Sequence, residues 1–536
     1  MQIAVVGSGP SGVAAASVLV EQGHAVELLD VGHRPDAASL ALAAEVRGVI
    51  GRGERPGRAL YHALNHGSGG SARSPLAGLG TLLGRVEATR SQKRILGSTF
   101  VWDGADKGIP VDDEVVTRSL AKGGLSNAWG AACYPWRAGD FAGWPMAAAD
   151  LAPHYARAAA LLGLEQSKDA LERAYPLFGA SASDAPRNPG SLLERLLARW
   201  REHDAELAAA GVTPGRARLA VRRDACARCG LCFYGCAFGA IWHAGQPLDG
   251  LALRYRPGCF VQGFREESGG VRVYGREGEA TLDERFDALV LAAGVLSSLR
   301  IAADSQGLHD RPVPVLDNEL FLVPLLAPSA RPPWGFRSRF TLGEAVLAIE
   351  AGVISPRPLH VQLYSFHEFF LAELGAVLRA LPIPLQDLAW SVLNALALAF
   401  VYLPGEDSTR ASARVVAVPS GPGRVRIAAS PNAESRAILS RVLAHLRRLR
   451  RPLGLWPVPG LVKATPFGFH GHLAGTLPMR ASPGPLESDA SGRLSGTRRV
   501  FVVDTAAFPT LPAQNLTFTA MANAMRIASG LEGQVR

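Results

Sequence analysis

The sequence predicts an α/β fold: a Rossmann-like dinucleotide-binding domain with a discontinuous α+β substrate domain. Three observations carry this. The first thirty residues read strand–turn–helix–strand. Apolar strand patterns recur far along the chain, at Phe286–Gly294 and Arg499–Asp504. Between them, residues 311–460 change character, mixing strand-like runs with long apolar helices.

The opening unit begins with the apolar run Ile3–Val6, followed by the glycine-rich turn Gly7-Ser8-Gly9-Pro10-Ser11-Gly12. An alanine-rich helical segment runs from Val13 to Gln22, and a second apolar run, Ala25–Leu29, ends in Asp30. The spacing G-x-G-x-x-G suits a dinucleotide. Gly7 permits the tight turn, Gly9 lets the backbone approach a pyrophosphate, and Gly12 lets helix and strand pack closely. The helix N-terminus offers free N–H groups to phosphate, and Asp30 is placed to accept hydrogen bonds from a ribose.

Residues 31–90 read as a partly irregular excursion, and Lys122–Gly130 as a second close-approach loop. Asp150-Leu151 starts a helix to about Leu162, and residues 165–220 read as mostly helical, interrupted at Ser181–Pro189. Cys259–Val273 alternates like strands. Strand-like runs cover Glu319–Leu326 and His360–Ser365, and Asn515–Ala528 reads as a closing helix. The resulting division is 1–160, first part of the dinucleotide domain; 161–220, a helical excursion; 221–310, a cysteine loop and second part; 311–460, the substrate-binding domain; and 461–536, a C-terminal part with catalytic residues.

With 48% hydrophobic and 19% charged residues in 536, the chain can bury a large core in two or more lobes. Only five of the 56 basic residues are lysine, so the net charge of +9 reflects an arginine bias and is no argument for nucleic acid. The chain starts on a core strand with no room for a signal peptide, so a cytoplasmic location is expected.

Distant motifs resemble one family. His472-Leu473-Ala474-Gly475-Thr476-Leu477-Pro478-Met479 resembles the H-x-x-G-T-x-x-M segment of the glucose–methanol–choline (GMC) oxidoreductases. Val503-Asp504 through Phe508-Pro509 and Asn515-Leu516-Thr517 resemble that family's C-terminal flavin segment, and Gly123-Gly124-Leu125-Ser126 its internal glycine motif. The resemblance implies that the dinucleotide is FAD, contacted by Gly7, Gly9, Pro10, Ser11, Gly12, Asp30, Gly123, Gly124, Ser126, Asn127, Val261, Ala293, Gly294, Asp504 and Asn515. It also implies oxidation of a CH–OH group of a sugar, sterol or other alcohol by hydride transfer to flavin N5. His472 is then the base for the hydroxyl proton, Asn515 holds the substrate oxygen, and His470 is a second donor or a strand neighbour. Some relatives bind FAD covalently through histidine in a Ser-Thr-His-Trp segment. The comparable run here is Ser126-Asn127-Ala128-Trp129, so FAD is expected to be non-covalent.

Cys226, Cys229, Cys232 and Cys236 form a C-x2-C-x2-C-x3-C run. That spacing is expected of an iron–sulfur loop, most simply [4Fe–4S], with [3Fe–4S] as the lesser variant. It is too compressed for two zinc knuckles, and a set of inert buried thiols is the bland alternative. Cys133 and Cys259 read as core residues. A cluster beside FAD would favour a dehydrogenase passing electrons to a one-electron acceptor protein or quinone. Open alternatives are a flavin reductase of a ketone or activated double bond fed through the cluster, an alcohol oxidase using O2, and a non-catalytic relay.

Leu388–Gly405 is uncharged for eighteen residues, with Trp390 and Tyr402 near its ends. Three readings stand for it: a core or substrate-lining segment, a segment dipping into a membrane from its inner face, or a span. Ala433–Arg451 reads as an amphipathic helix with a basic side.

Overall fold

The structure is a computed structural model, and it describes residues 1–54, 57, 60, 63–64, 111–112, 116–179, 185–334, 336, 338–366 and 382–535. Much of the 31–90 excursion and the start of the Ser181–Pro189 interruption lie outside the described residues.

The opening unit folds as β1 (Gln2–Val6), α1 (Pro10–Glu21) and β2 (Ala25–Leu29). Proline at the first helical position suits a helix start, because its missing N–H has no intrahelical partner there. β1 lies in the middle of a five-stranded parallel sheet. On one side come β2 and Arg254–Arg256, on the other Ala288–Leu291 and then Val500–Val502. Strands from the start, middle and end of the chain thus make one sheet. The near-continuous apolar runs of β1 and Ala288–Leu291 suit strands covered on both faces. The closing helix, Thr517–Val535, packs on α1 and extends past the expected boundary at Ala528.

The second lobe is built on a mainly antiparallel sheet in the order Trp456–Pro457, Leu320–Leu326, Leu396–Tyr402, Leu359–Ser365, Ala345–Ile349, Val212–Arg216. Register places Leu322, Phe400 and Gln362 in one cross-strand row and Leu320, Tyr402 and His360 in the next. Directly opposed residues share a face. The other face carries Phe321, Val323, Val361, Leu363, Ala399 and Val401 into a core completed by the helices Leu192–Glu202 and Ala433–Arg448. The latter buries Ile438, Val442 and Leu446 under an outer basic side, as its amphipathic pattern indicates.

Two expectations are corrected. Val212–Arg216, inside the stretch read as helical, is an edge strand, because its five residues pair with Ala345–Ile349. Leu388–Gly405 is not one segment: a helix, Ile383–Leu393, ends at Asn394 and the chain continues as the central strand Leu396–Tyr402. Sheet pairing on both sides of that strand overrides its helical composition. Among the described residues no helix is long and apolar enough to cross a membrane. Ile383, Leu385, Leu388 and Val392 of the short helix are nonetheless exposed.

Candidate active site

A cavity of about 700 Å³ runs from the β1–α1 turn to the inner face of the second-lobe sheet. It is lined at one end by Gly7, Gly9, Pro10, Ser11 and Asp30, and at the other by His470, His472 and Asn515.

The turn shows why glycine stands where it does. Gly7 has φ +102°, and a Cβ there would lie 2.4 Å from the Ala292 carbonyl oxygen. A Cβ on Gly12 would lie 2.0 Å from the Gly7 carbonyl oxygen, so that glycine serves packing and faces away from the cavity. At Gly9 a Cβ would meet no protein atom within 4 Å, which leaves room against the backbone for a diphosphate. Asp30 is buried at the end of β2. Its Oδ2 accepts from the Ser8 hydroxyl and from the Tyr255 hydroxyl at 3.1 Å. Burial pushes its carboxyl up to about 6, against the opposing pull of those hydroxyls. Ser8 Oγ in turn accepts from the Gly123 N–H at 2.8 Å, tying the turn to the second glycine loop.

Gly123, Gly124, Ser126 and Asn127 form that loop. Gly123 is left-handed at φ +93°, and the Gly124 backbone comes against Gly9. The Asn127 side chain donates to the Lys122 and Gly124 carbonyls, and Ser126 Oγ accepts from the Ala244 N–H. Both side chains therefore shape the loop, while the loop lines the cavity. Val261, Ala293 and Gly294 also line it; the Val261 carbonyl accepts from Arg300 at 2.6 Å. Asp504 reaches the cavity wall, yet its carboxylate is engaged by protein donors. Oδ2 accepts from the Gly294 N–H and the Ser298 hydroxyl, Oδ1 from the Ala506 N–H. Its burial pushes the carboxyl up, and it acts as a cap joining two chain segments.

At the far end the His472 ring lies 4.6 Å from that of His470 and 5.5 Å from that of Tyr402, centroid to centroid. His470 Nδ1 is 3.8 Å from Asp317 Oδ1, a buried carboxyl pushed up to about 8 by desolvation. Asn515 Oδ1 accepts from Gln362 Nε2, and Gln362 Oε1 accepts from the Tyr364 hydroxyl at 2.9 Å. Behind them, His360 Nε2 lies 3.1 Å from Gln362 Nε2 and His360 Nδ1 lies 2.9 Å from the Tyr175 hydroxyl. Burial lowers His360 to about 3, so it is neutral and its Nε2 can accept from the glutamine amide.

Sequence reasoning missed Gln362, Tyr364, Phe400 and Tyr402, all on second-lobe strands. A signal existed in His360-Val361-Gln362-Leu363-Tyr364, where polar residues alternate with apolar ones on a fully buried strand. It missed Ser8 and Tyr255 as well, whose partner Asp30 it had found.

The cysteine loop borders the same cavity through Cys232 and Cys236. Among the described residues no group of three or more His, Cys, Asp or Glu is arranged to hold a metal ion. Burial pushes the Cys229 thiol up to about 11 and Cys232 further, neighbouring cysteines adding to both. As arranged, Cys229 and Cys232 favour the protonated thiol, and the four cysteines do not fit a cluster without rearrangement. Cys133 and Cys259 are buried core residues, as expected.

The fold and cavity define a two-lobed α/β protein with a Rossmann-like parallel sheet. Residues 460–524 match the family model described as GMC oxidoreductase, C-terminal part, a span that contains His470, His472 and Asn515. The chain is accordingly an enzyme, an oxidoreductase, and members of that family bind FAD. Among solved structures, the crystal structure of pyridoxine 4-oxidase from Mesorbium loti superposes with a TM-score of 0.58, covering 99% of each chain at 16% identity. That likeness bears on the fold. Comparison with curated protein sequences gave no significant match.

Proposed function

We propose that this protein is an FAD-dependent oxidoreductase that removes two electrons and two hydrogens from a CH–OH group. The observation that carries the reading is the meeting of His472 and Asn515 at one end of the cavity whose other end is the glycine turn and Asp30. Gly7–Ser11, Asp30, the 123–127 loop and Ala293-Gly294 would hold FAD, without a covalent bond because Ala128 carries no nucleophile. When bound, FAD supplies the two-electron acceptor. His472 takes the hydroxyl proton, and an imidazole is suited to this because its ordinary pKa lies near neutrality. With Asn515 Oδ1 occupied by Gln362, the amide N–H groups are left to donate to the substrate oxygen as negative charge develops on it. Tyr402 and His470 pack on the His472 ring and hold its plane.

Two finer readings rest on the cysteine spacing and on an exposed helix. The four-cysteine spacing supports an iron–sulfur centre and a one-electron acceptor, a protein or quinone; since the thiols do not fit a cluster as arranged, no step is routed through it. The exposed apolar side chains of Ile383–Leu393 support peripheral contact with a lipid surface.

Anaerobic addition of alcohols to the purified yellow protein tests the reading. Bleaching of the flavin absorbance is expected. A flavin that no alcohol reduces, but that a ketone or activated alkene reoxidises after chemical reduction with dithionite, would assign the reverse reaction instead.

A further inference from the structure

We infer that the substrate is an apolar alcohol whose hydrocarbon part lies on the inner face of the second-lobe sheet. The inference rests on the CH–OH reading above and deepens it by naming the substrate class. Six side chains of one sheet face line the cavity beside His472 and Asn515: Leu320, Leu322, Gln362, Tyr364, Phe400 and Tyr402, with Tyr402 against the His472 ring and Gln362 bonded to Asn515. They come from three neighbouring strands whose register sets them side by side on one face. None is charged.

The polar atoms of this wall are largely turned on one another. Gln362 Nε2 donates to Asn515, and its Oε1 is occupied by the Tyr364 hydroxyl. Thr465, also at the cavity, donates its hydroxyl to the Leu320 carbonyl at 3.1 Å. Tyr402 turns its ring to His470 and His472. A sugar placed here would give up water at each hydroxyl and find few partners, and unpaired buried hydroxyls are penalised. A hydrocarbon chain or ring loses nothing and gains apolar burial on Leu320, Leu322 and Phe400. Only the reacting hydroxyl needs polar partners, and His472 and Asn515 are the pair that adjoins this wall.

The test is a substrate series on the wild-type holoenzyme: 1-alkanols from ethanol to 1-octanol, with glucose and glycerol, read as anaerobic flavin reduction. A parallel titration uses the unreactive alkanamides from butanamide to octanamide, read as perturbation of the flavin spectrum. Apparent affinity in both series should rise roughly threefold to fourfold per methylene until the cavity is filled. Leu322→Asn, which puts an amide into the wall, should flatten that rise in both series. Glucose or glycerol outperforming octanol would overturn the inference and leave the CH–OH reading intact. Alkanamides that bind with the expected slope while no alcohol reduces the flavin would overturn that reading and keep the apolar site. An alkanamide series with no slope, or a slope unchanged in the variant, overturns the apolar site outright.

Discussion

Gln362 Nε2 donates to Asn515 Oδ1, joining the central sheet of one lobe to the C-terminal segment of the other. An asparagine amide can present either its oxygen or its nitrogen to a substrate. This bond decides the matter, because the oxygen is taken. Gln362 is fixed in turn, by Tyr364 on its oxygen and by neutral His360 behind its nitrogen.

Gln362→Glu replaces the donating amide with oxygen facing oxygen. Asn515 should turn its NH2 toward residue 362 and its oxygen toward the substrate. Losing an oriented, buried hydrogen bond is worth about 1–3 kcal/mol, so kcat should fall roughly fivefold to 150-fold. KM should change much less, since developing charge on the oxygen is what the amide meets. Steady-state kinetics on a reducing alcohol checks this, and equal losses in kcat and binding would argue for a merely structural bond.

His472→Ala removes the proton acceptor. Alcohol turnover should drop on the order of 10²–10⁴-fold, with FAD still bound, because Asp30 and the glycine turn lie at the other end of the cavity. Visible absorbance and rapid-mixing reduction measure the two separately. Near-wild-type reduction would return His472 to the status of a core histidine.

The legible part of this fold was the part with local chemistry. Gly7 and Gly12 announce a turn because no side chain fits at either, Gly9 leaves its surface open, and Asp30 follows at the spacing a ribose requires. The site's far wall was hidden because its residues act through register. Leu322, Gln362 and Phe400 are neighbours only because three strands pair, and nothing local to each residue reports that. Leu396–Tyr402 was obscured for a related reason: an apolar run suits a central strand, a buried helix or a membrane segment equally, and the pairing partners decide.

Gly9→Ala and Gly12→Ala separate cofactor approach from folding. The added methyl at Gly9 meets open cavity and its φ of −65° tolerates a side chain, so the variant should fold with near-normal Tm and bind FAD weakly. At Gly12 the methyl would strike the Gly7 carbonyl, and the variant should lose stability, by about 1–3 kcal/mol for an overpacked site. Thermal denaturation and FAD titration of the two proteins give the comparison.

Iron and acid-labile sulfide analysis decides the role of Cys226, Cys229, Cys232 and Cys236. A [4Fe–4S] centre predicts about four irons per chain. A metal-free loop predicts that Cys232 resists iodoacetamide at pH 7–8 in the native state, since burial keeps it protonated.

Asp30 should leave a mark on stability against pH in the cofactor-free protein. Its folded carboxyl sits at about 6, above the ordinary 3.8. The folded state therefore holds a proton that the unfolded chain releases, and unfolding becomes easier as pH rises from about 4 to about 6. Across that window the loss amounts to on the order of 3 kcal/mol. Asp30→Asn keeps an oxygen for the Ser8 hydroxyl but removes this titration, so its stability should fall less over the same range. Chemical denaturation of both apoproteins between pH 4 and 7.5 reads the difference directly, with wild type losing stability relative to the variant as pH rises. Above about pH 6 FAD should bind the variant more weakly, because the amide offers the ribose hydroxyls a weaker acceptor than the carboxylate does.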